Sequence, residues 1–177
     1  LKTFIGKSMQ EVPMDSAVKI KGKKLYEYAR EGIKVIPPKK EIEIYNIELV
    51  GEPQYLENII EFKIKCSVSK GTYIRSLIRD IGYKLETFGT MKSLKRTRQG
   101  IFKLEESYSL EDIEKDNYKI LKIREALPDI KITIIDDTTL KKVQNGMILP
   151  SFFDEELSLL VDSQDHEVAI YKKEDNM

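Results

Sequence analysis

Three basic side chains, Lys70, Arg75 and Arg79, gather at the predicted start of one helix. Free backbone N–H groups at such a position already favour an anion. Arg75 and Arg79 are four residues apart, so they share one helix face and repel each other. A phosphate or a carboxylate between them would relieve this repulsion, and a guanidinium holds either group through two parallel hydrogen bonds. A solvated helix face in which Arg79 pairs with Asp80 or Glu86 explains the same pattern equally well.

Tyr73 and a second basic cluster extend this segment. Tyr73 lies in the first turn of the predicted helix, where its ring either stacks on an unpaired base or forms part of the core. The second cluster, within residues 92–98, is typical both of a nucleic-acid contact and of a solvated surface. Asp15 and Asp80 are the acids nearest these basic groups, but nothing local pairs either of them with a second acid for hydrolysis.

Other catalytic chemistries find little support in the residues. The single histidine, His166, lies in a predicted hairpin turn, so no Ser/His/Asp or Cys/His arrangement can be assembled around it. Cys66 points to the apolar face of its strand and is predicted to pack as a small side chain. The sequence has no Walker loop, no dinucleotide fingerprint and no cluster with metal-ligand spacing. We therefore expect neither a cofactor nor a metal.

Charge is distributed unevenly along the 177 residues, which hold 30 Lys and Arg against 30 Asp and Glu. Residues 1–103 carry a formal net charge of +9 and residues 104–177 one of −9. This division indicates that the first part faces an anion, although two charged domains that solvate or attract each other explain it equally well. One cysteine excludes a disulfide framework, and no apolar run approaches the ~20 residues of a membrane span. We expect a soluble, cytoplasmic protein.

Hydrophobic periodicity predicts the elements that position the basic groups. A short helix is expected over 25–30, and strands over 41–50 and 61–68. A change of apolar phase at Tyr45 predicts a bulge in the first of these strands. After Thr72 we expect a helix of roughly four turns with an apolar stripe formed by Ile74, Leu77, Ile78, Ile81 and Leu85.

The chain beyond Pro128 has a different pattern. Short β-branched runs at 131–135, 157–161 and 168–171, with one or two helical turns between 138 and 145, predict a small β-rich module. Upstream, Ser109 is expected to cap another helix. The expected fold class is α+β: a mixed or antiparallel sheet with packed helices over 1–128, and the β-rich module over 129–177.

Three stretches resemble motifs of TruB-type tRNA pseudouridine synthases. Residues 69–82 (SKGTYIRSLIRDIG) look like the KGTYIR motif of that family, and residues 94–102 (LKRTRQGIF) look like its LRRT-x-x-G-x-F segment. Residues 4–19 resemble its F-x-G…Q-x-P…SA-x-K stretch, and residues 22–32 continue that match. The tail from about 129 is similar to the small PUA-like module that closes these enzymes.

The resemblance implies an enzyme that converts the T-loop uridine of tRNA (position 55) to pseudouridine without a cofactor. The implied partner is tRNA, through its T-arm, and no membrane is involved. In this family the target base leaves its stack, and an aspartate in a G-x-L-D-P motif starts to break the glycosidic bond. This sequence contains no G-x-L-D-P. The resemblance therefore implies the C-terminal part of such a synthase, which is expected to be inactive alone.

Residue roles follow from the same resemblance. Arg75 is implied to pair with the catalytic aspartate that this sequence lacks, which agrees with the absence of a local acid partner for Arg75. Tyr73 is implied to line the same pocket, and Leu94 to lie beside the target base. A thumb-like insertion covering 19–30 is implied to follow the T-arm. The basic residues expected to contact RNA are Lys19, Lys23, Lys24, Arg30, Lys70, Arg79 and Arg96.

One departure and two further interpretations accompany these expectations. Asp15 stands where the family has Tyr or Phe before Ser-Ala, and a carboxylate there cannot stack and would repel phosphate. A non-catalytic RNA-binding module that works as it stands is the main alternative, since residues 1–103 could supply phosphate contacts. The third interpretation is a protein-interaction domain that has the fold of the family but does not bind RNA.

Overall fold

The computed structural model describes residues 1–174, which form two compact units that divide between Lys95 and Arg96. The domain boundary predicted from the sequence lay further along, between 128 and 129. Each unit has its own sheets and its own helices. The first unit contains strands β1 (Gly6–Glu11), β2 (Lys19–Ile20) and β3 (Lys23–Lys24), helix α1 (Leu25–Arg30), strands β4 (Lys39–Leu56) and β5 (Ile59–Val68), and helix α2 (Ile74–Lys84).

The core of the first unit lies between α2 and a three-stranded antiparallel sheet of order β1-β4-β5. In strand β5, Ile64, Cys66 and Val68 pack against the core as the alternation predicts, whereas Phe62 on the same predicted face is 38% exposed. Burial raises the pKa of the Cys66 thiol. The register of β4 shifts between Ile44 and Asn46, which confirms the predicted bulge. This shift keeps Ile42, Ile44 and Ile47 of β4 on the face of the sheet that packs against Leu77 and Ile81 of α2.

Helix α2 has 11 residues, about three turns, so the predicted fourth turn is wrong. It ends in a Schellman arrangement, in which the N–H of Thr87 donates to the carbonyl of Gly82 and Glu86 adopts a left-handed φ of 56°. Leu85, the expected last member of the apolar stripe, is therefore 64% exposed. The chain then returns across the helix so closely that a Cβ on Gly82 would lie 2.2 Å from the backbone nitrogen of Gly89.

Strands β2 and β3 form a hairpin that leads into α1. Both residues of the two-residue turn, Lys21 and Gly22, have positive φ angles of 50° and 82°, as a type I′ turn requires. The predicted helix over 25–30 is confirmed. Leu25, which is 0% exposed, fixes the start of α1, since its backbone N–H also donates to the carbonyl of Val18.

The second unit confirms the predicted strands and helices beyond Pro128. Its three-stranded sheet has the order β10 (Glu167–Lys172), β9 (Leu157–Val161), β8 (Lys131–Ile134), with a parallel pair β8–β9 and an antiparallel pair β9–β10. The fold is thus α+β with mainly antiparallel pairing, while the PUA-like identity of this sheet stays a prediction. Its elements are β6 (Arg98–Gln99), β7 (Phe102–Lys103), α3 (Leu110–Glu114), α4 (Ile123–Ala126), β8 (Lys131–Ile134), α5 (Asp137–Gln144), β9 (Leu157–Val161) and β10 (Glu167–Lys172).

Side-chain caps begin two helices of the second unit. The hydroxyl of Ser109 accepts a hydrogen bond from the backbone N–H of Asp112 at 3.1 Å, which confirms the predicted cap of α3. Asp136 caps α5 by accepting from the N–H of Thr139, and this bond lowers its pKa to about 2. His166 lies in the turn between β9 and β10, as predicted. Among the described residues, no helix is both long and apolar enough to span a membrane.

Candidate functional site

The start of α2 is bound to the end of β1 by buried polar side chains. Gln10, which is 4% exposed, accepts from the backbone N–H of Tyr73 at 2.8 Å through Oε1 and donates to the carbonyl of Tyr73 at 3.1 Å through Nε2. The hydroxyl of Ser76, one turn further on, donates to the carbonyl of Glu11 at 2.9 Å. These bonds fix the backbone on both sides of Arg75. The sequence showed Gln10 only as one letter of a motif, with no sign of this role.

The turn that precedes α2 is bound to β4. The Ser69 hydroxyl accepts from the backbone N–H of Glu43 at 2.9 Å and lies 3.2 Å from the Thr72 hydroxyl. Gly71 has a φ of +85°, a left-handed conformation that side chains rarely adopt. Lys70 is exposed on this turn. Lys70 is thus exposed to solvent on a turn whose backbone is held by the hydrogen bond between Ser69 and β4.

Arg75 pairs with an acid of its own chain, so the inference that it lacks a local acid partner is wrong. Its Nη1 contacts Oδ2 of Asp15. The two residues are distant in sequence, but the bond between Ser76 and Glu11 brings the residues that follow β1 beside the first turn of α2. The side chains of Arg75 and Asp15 are 44% and 63% exposed. Water screens an ion pair at such a position, so the pair is weak and can exchange partners.

Arg79 is held more firmly than Arg75. Its Nε donates to Oδ1 of Asp80 at 2.9 Å, and its Nη1 donates to Oε1 of Glu11 at 3.2 Å. Acids of the chain therefore relieve the repulsion between Arg75 and Arg79, and the pairing of Arg79 with Asp80 is the one that the solvated-face alternative named. Of the two guanidinium groups, Arg75 has the more exposed pair and is the better placed to accept another anion.

Basic side chains of the hairpin and α1 contact aromatic or acidic ones. Lys23 contacts the carboxylate of Glu31, whereas Lys24 donates to the hydroxyl of Tyr26 at 3.3 Å. The guanidinium carbon of Arg30 lies 5.2 Å from the centroid of the same tyrosine ring. Lys19 is exposed on β2. Sequence reasoning missed Tyr26, although an aromatic residue interleaved with basic ones is a pattern known from nucleic-acid sites.

A shallow depression adjoins the Arg75–Asp15 pair. It has a volume of about 570 Å³ and is lined by Asp15, Tyr26, Ala29 and Arg30. Asp15 thus belongs both to this depression and to the contact with Arg75. The carboxylate of Asp15 therefore links the arginine at the start of α2 with the depression that Arg30 of α1 lines.

Two further residues implied to contact RNA, Leu94 and Arg96, lie between α2 and β6 in the sequence. Leu94 is 59% exposed in the segment between α2 and β6, close in sequence to Lys92, whose ammonium binds Glu61 at 2.6 Å. Arg96 belongs to the second compact unit and donates to Oε1 of Gln99 at 2.7 Å. Within the first unit, the structure brings Tyr73, Arg75, Arg79 and Asp15 together at the start of α2, whereas Leu94 lies in the segment after that helix.

Comparison with known proteins agrees with the motif resemblance. Residues 1–74 match the model of the TruB family pseudouridylate synthase N-terminal domain, and residues 75–130 match that of the tRNA pseudouridylate synthase B C-terminal domain. The chain is similar to the protein named tRNA pseudouridine synthase B of Halalkalibacterium halodurans, with 36% identity over 179 residues, which cover 97% of the chain and 59% of that relative.

Other relatives carry the same name. The Bacillus subtilis protein is 41% identical over 155 residues, which cover 84% of the chain and 50% of the relative. The Geobacillus thermodenitrificans protein is 37% identical over 184 residues, which cover 97% of the chain and 61% of the relative. The chain thus spans between half and three fifths of the length of these relatives. It belongs to the TruB family of pseudouridylate synthases.

Proposed function

We propose that this chain forms part of a tRNA pseudouridine synthase that isomerises the T-loop uridine at position 55. The proposal rests on the position of Arg75. Hydrogen bonds from buried side chains hold the backbone on both sides of it, and its half-exposed guanidinium pairs with the exposed carboxylate of Asp15. In the reaction the C1′–N1 bond of the uridine breaks and a C1′–C5 bond forms. The proton on C5 leaves, N1 takes up a proton, and the overall composition stays the same.

Arg75 is proposed to exchange Asp15 for the catalytic aspartate of the G-x-L-D-P motif, which this sequence does not contain. A guanidinium that binds both oxygens fixes the direction of a carboxylate, and its positive charge favours the ionised form. Both effects prepare an aspartate to act as nucleophile or base. Without that aspartate, the chain alone is proposed to be inactive.

The other assigned residues are proposed to bind the tRNA T-arm. Tyr73 lines the pocket that receives the flipped base, and Leu94 lies beside that base. Phosphate contacts come from the basic residues, which position the RNA without reading its sequence. These residues are Lys19, Lys23, Lys24, Arg30, Lys70, Arg79 and Arg96.

A non-catalytic RNA-binding module is the second candidate. One observation favours it: Lys19, Lys70 and Arg30 are exposed and so available to phosphates. Both candidates require the chain to bind tRNA through phosphate contacts, whereas a protein-interaction domain does not. Tritium release from C5, treated in the Discussion, distinguishes the two RNA-binding candidates.

The dependence of tRNA affinity on salt tests the RNA-binding part of the proposal. Lys23 and Arg79 are already paired with acids, so about five of the seven basic residues should release counterions from the RNA. We expect log affinity to fall with log salt with a slope of about −4, a loss on the order of 10²-fold between 50 and 200 mM salt. A fluorescence titration of labelled tRNA with this chain measures the slope.

Two charge variants make this measurement specific. Lys19→Gln should reduce the slope by about 1, since Lys19 is exposed on β2. Lys115→Gln is the matched control, because Lys115 is also exposed but pairs with Glu111 at 2.6 Å in the acidic part of the chain, and it should leave the slope unchanged. A wild-type affinity that does not respond to salt would contradict both RNA-binding functions.

A further inference from the structure

Tyr26 on α1 contacts two cations, Lys24 through its hydroxyl and Arg30 through its ring. We propose that Tyr26 is a positioning residue that keeps Lys24 and Arg30 ordered for the phosphates of an RNA strand running along the depression beside Asp15. The proposal rests on the proposed function and deepens its RNA-binding part. Tyr26 lies within the stretch that resembles the family, but none of the residue roles assigned above falls to it.

The contacts of Tyr26 differ for the two cations. The ammonium of Lys24 donates to the tyrosine hydroxyl at 3.3 Å and lies 5.4 Å from the ring centroid, so it sits at the hydroxyl edge rather than over the face of the ring. The guanidinium carbon of Arg30 lies 5.2 Å from the same centroid, within the range of a cation–π contact. Removing the hydroxyl should therefore release Lys24 alone, and removing the ring should release both.

The charges that Tyr26 holds are available to an anion. Within residues 1–174, neither Lys24 nor Arg30 forms a salt bridge, whereas the neighbouring Lys23 pairs with Glu31. Two like charges on one ring repel each other, and a phosphate between them would relieve this repulsion. A Lys or Arg side chain held in place before binding also loses less rotamer freedom when the anion arrives.

The position of Tyr26 is fixed from the backbone. Its N–H donates to the carbonyl of Ser16 at 3.1 Å, and the preceding Leu25 is fully buried. The acid in the depression, Asp15, contacts Arg75, which offsets part of the repulsion that it would exert on a phosphate. A strand that contacts Arg30 in this depression would therefore continue toward Arg75.

Substitutions of Tyr26 in this chain, with tRNA binding at low salt as the readout, test the proposal. Tyr26→Phe should weaken binding about twofold and Tyr26→Leu about five- to tenfold, since an exposed cation–π contact and one hydrogen bond are lost. The salt slope should stay the same, because both charges remain. Tyr28→Phe is the matched control: it removes the hydroxyl bond to the Ile20 carbonyl, and the one cation beside its ring, Lys23, already pairs with Glu31. It should bind as the wild type does.

A double variant, Lys24→Gln with Arg30→Gln, separates positioning from other roles. It should lower the salt slope by about 2, and adding Tyr26→Leu to it should cause no further loss. Circular dichroism confirms that each variant is folded. An equal loss from Tyr26→Leu in both backgrounds would overturn the proposal, because the ring would then act alone. Weaker binding by the double variant but not by Tyr26→Leu would overturn it while the proposed RNA binding stands.

Discussion

Replacing Arg75 with lysine is expected to lower the rate of pseudouridine formation by about 100-fold and to change tRNA affinity less than about threefold. Lysine keeps the positive charge but cannot hold both oxygens of a carboxylate through parallel hydrogen bonds. A charge-assisted hydrogen bond contributes about 1.5–3 kcal/mol, and the upper part of that range corresponds to a rate factor of about 100. The rate is lowered more than the affinity because the substitution changes the orientation of the aspartate and leaves the contacts to the RNA in place.

The measurement needs a protein that contains the catalytic aspartate. A fusion supplies it, in which a segment carrying the G-x-L-D-P motif implied by the resemblance precedes Leu1. Tritium release from [5-³H]uridine in tRNA under single-turnover conditions gives the rate. Arg79→Lys is the matched control: Glu11 and Asp80 hold Arg79, so its rate should stay within about threefold of the parent fusion. Lower affinity with an unchanged rate per bound tRNA would refute the pairing role of Arg75.

The chain alone is expected to release no tritium above background, and the fusion is expected to restore release. The reaction needs a carboxylate to attack or to deprotonate, and among the described residues only Asp15 forms an ion pair with Arg75. The Asp15 side chain is 63% exposed, so water competes for its carboxylate. A nucleophile in a closed active site is instead withdrawn from solvent. The same tritium assay, run at equal concentrations of chain and fusion, measures the difference.

Asp15→Asn gives this second prediction a sharp control. In the fusion the substitution removes the competitor for Arg75, so the rate should be kept or increased. Turnover by the chain alone that Asp15→Asn abolishes would show that Asp15 is the catalytic acid. Such a result would contradict the role proposed for the G-x-L-D-P aspartate.

Local pattern was enough to predict α1, β4, β5 and α2 in the first unit and one helix cap in the second. Strand β5 alternates between apolar and polar residues because one face packs against α2, and that period is visible in the sequence. The bulge after Ile44 was predictable for the same reason, since a change of phase must be absorbed to keep apolar side chains on one face. The cap at Ser109 depends only on residues within one turn, and it too was correct.

The features that the sequence did not predict depend on contacts between distant residues or on unusual backbone. The Arg75–Asp15 pair exists because bonds from Gln10 and Glu11 to the start of α2 bring the two segments together. No local spacing encodes that meeting. The end of α2 was placed too late because Glu86, rather than a glycine, adopts the left-handed conformation there.

A crystal structure of the fusion would test the central claim most directly, because it shows which carboxylate Arg75 holds. We expect both oxygens of the G-x-L-D-P aspartate within about 3 Å of the Arg75 guanidinium nitrogens, with Asp15 turned toward solvent. Arg75 still bound to Asp15, with the G-x-L-D-P aspartate paired to another cation, would contradict the claim.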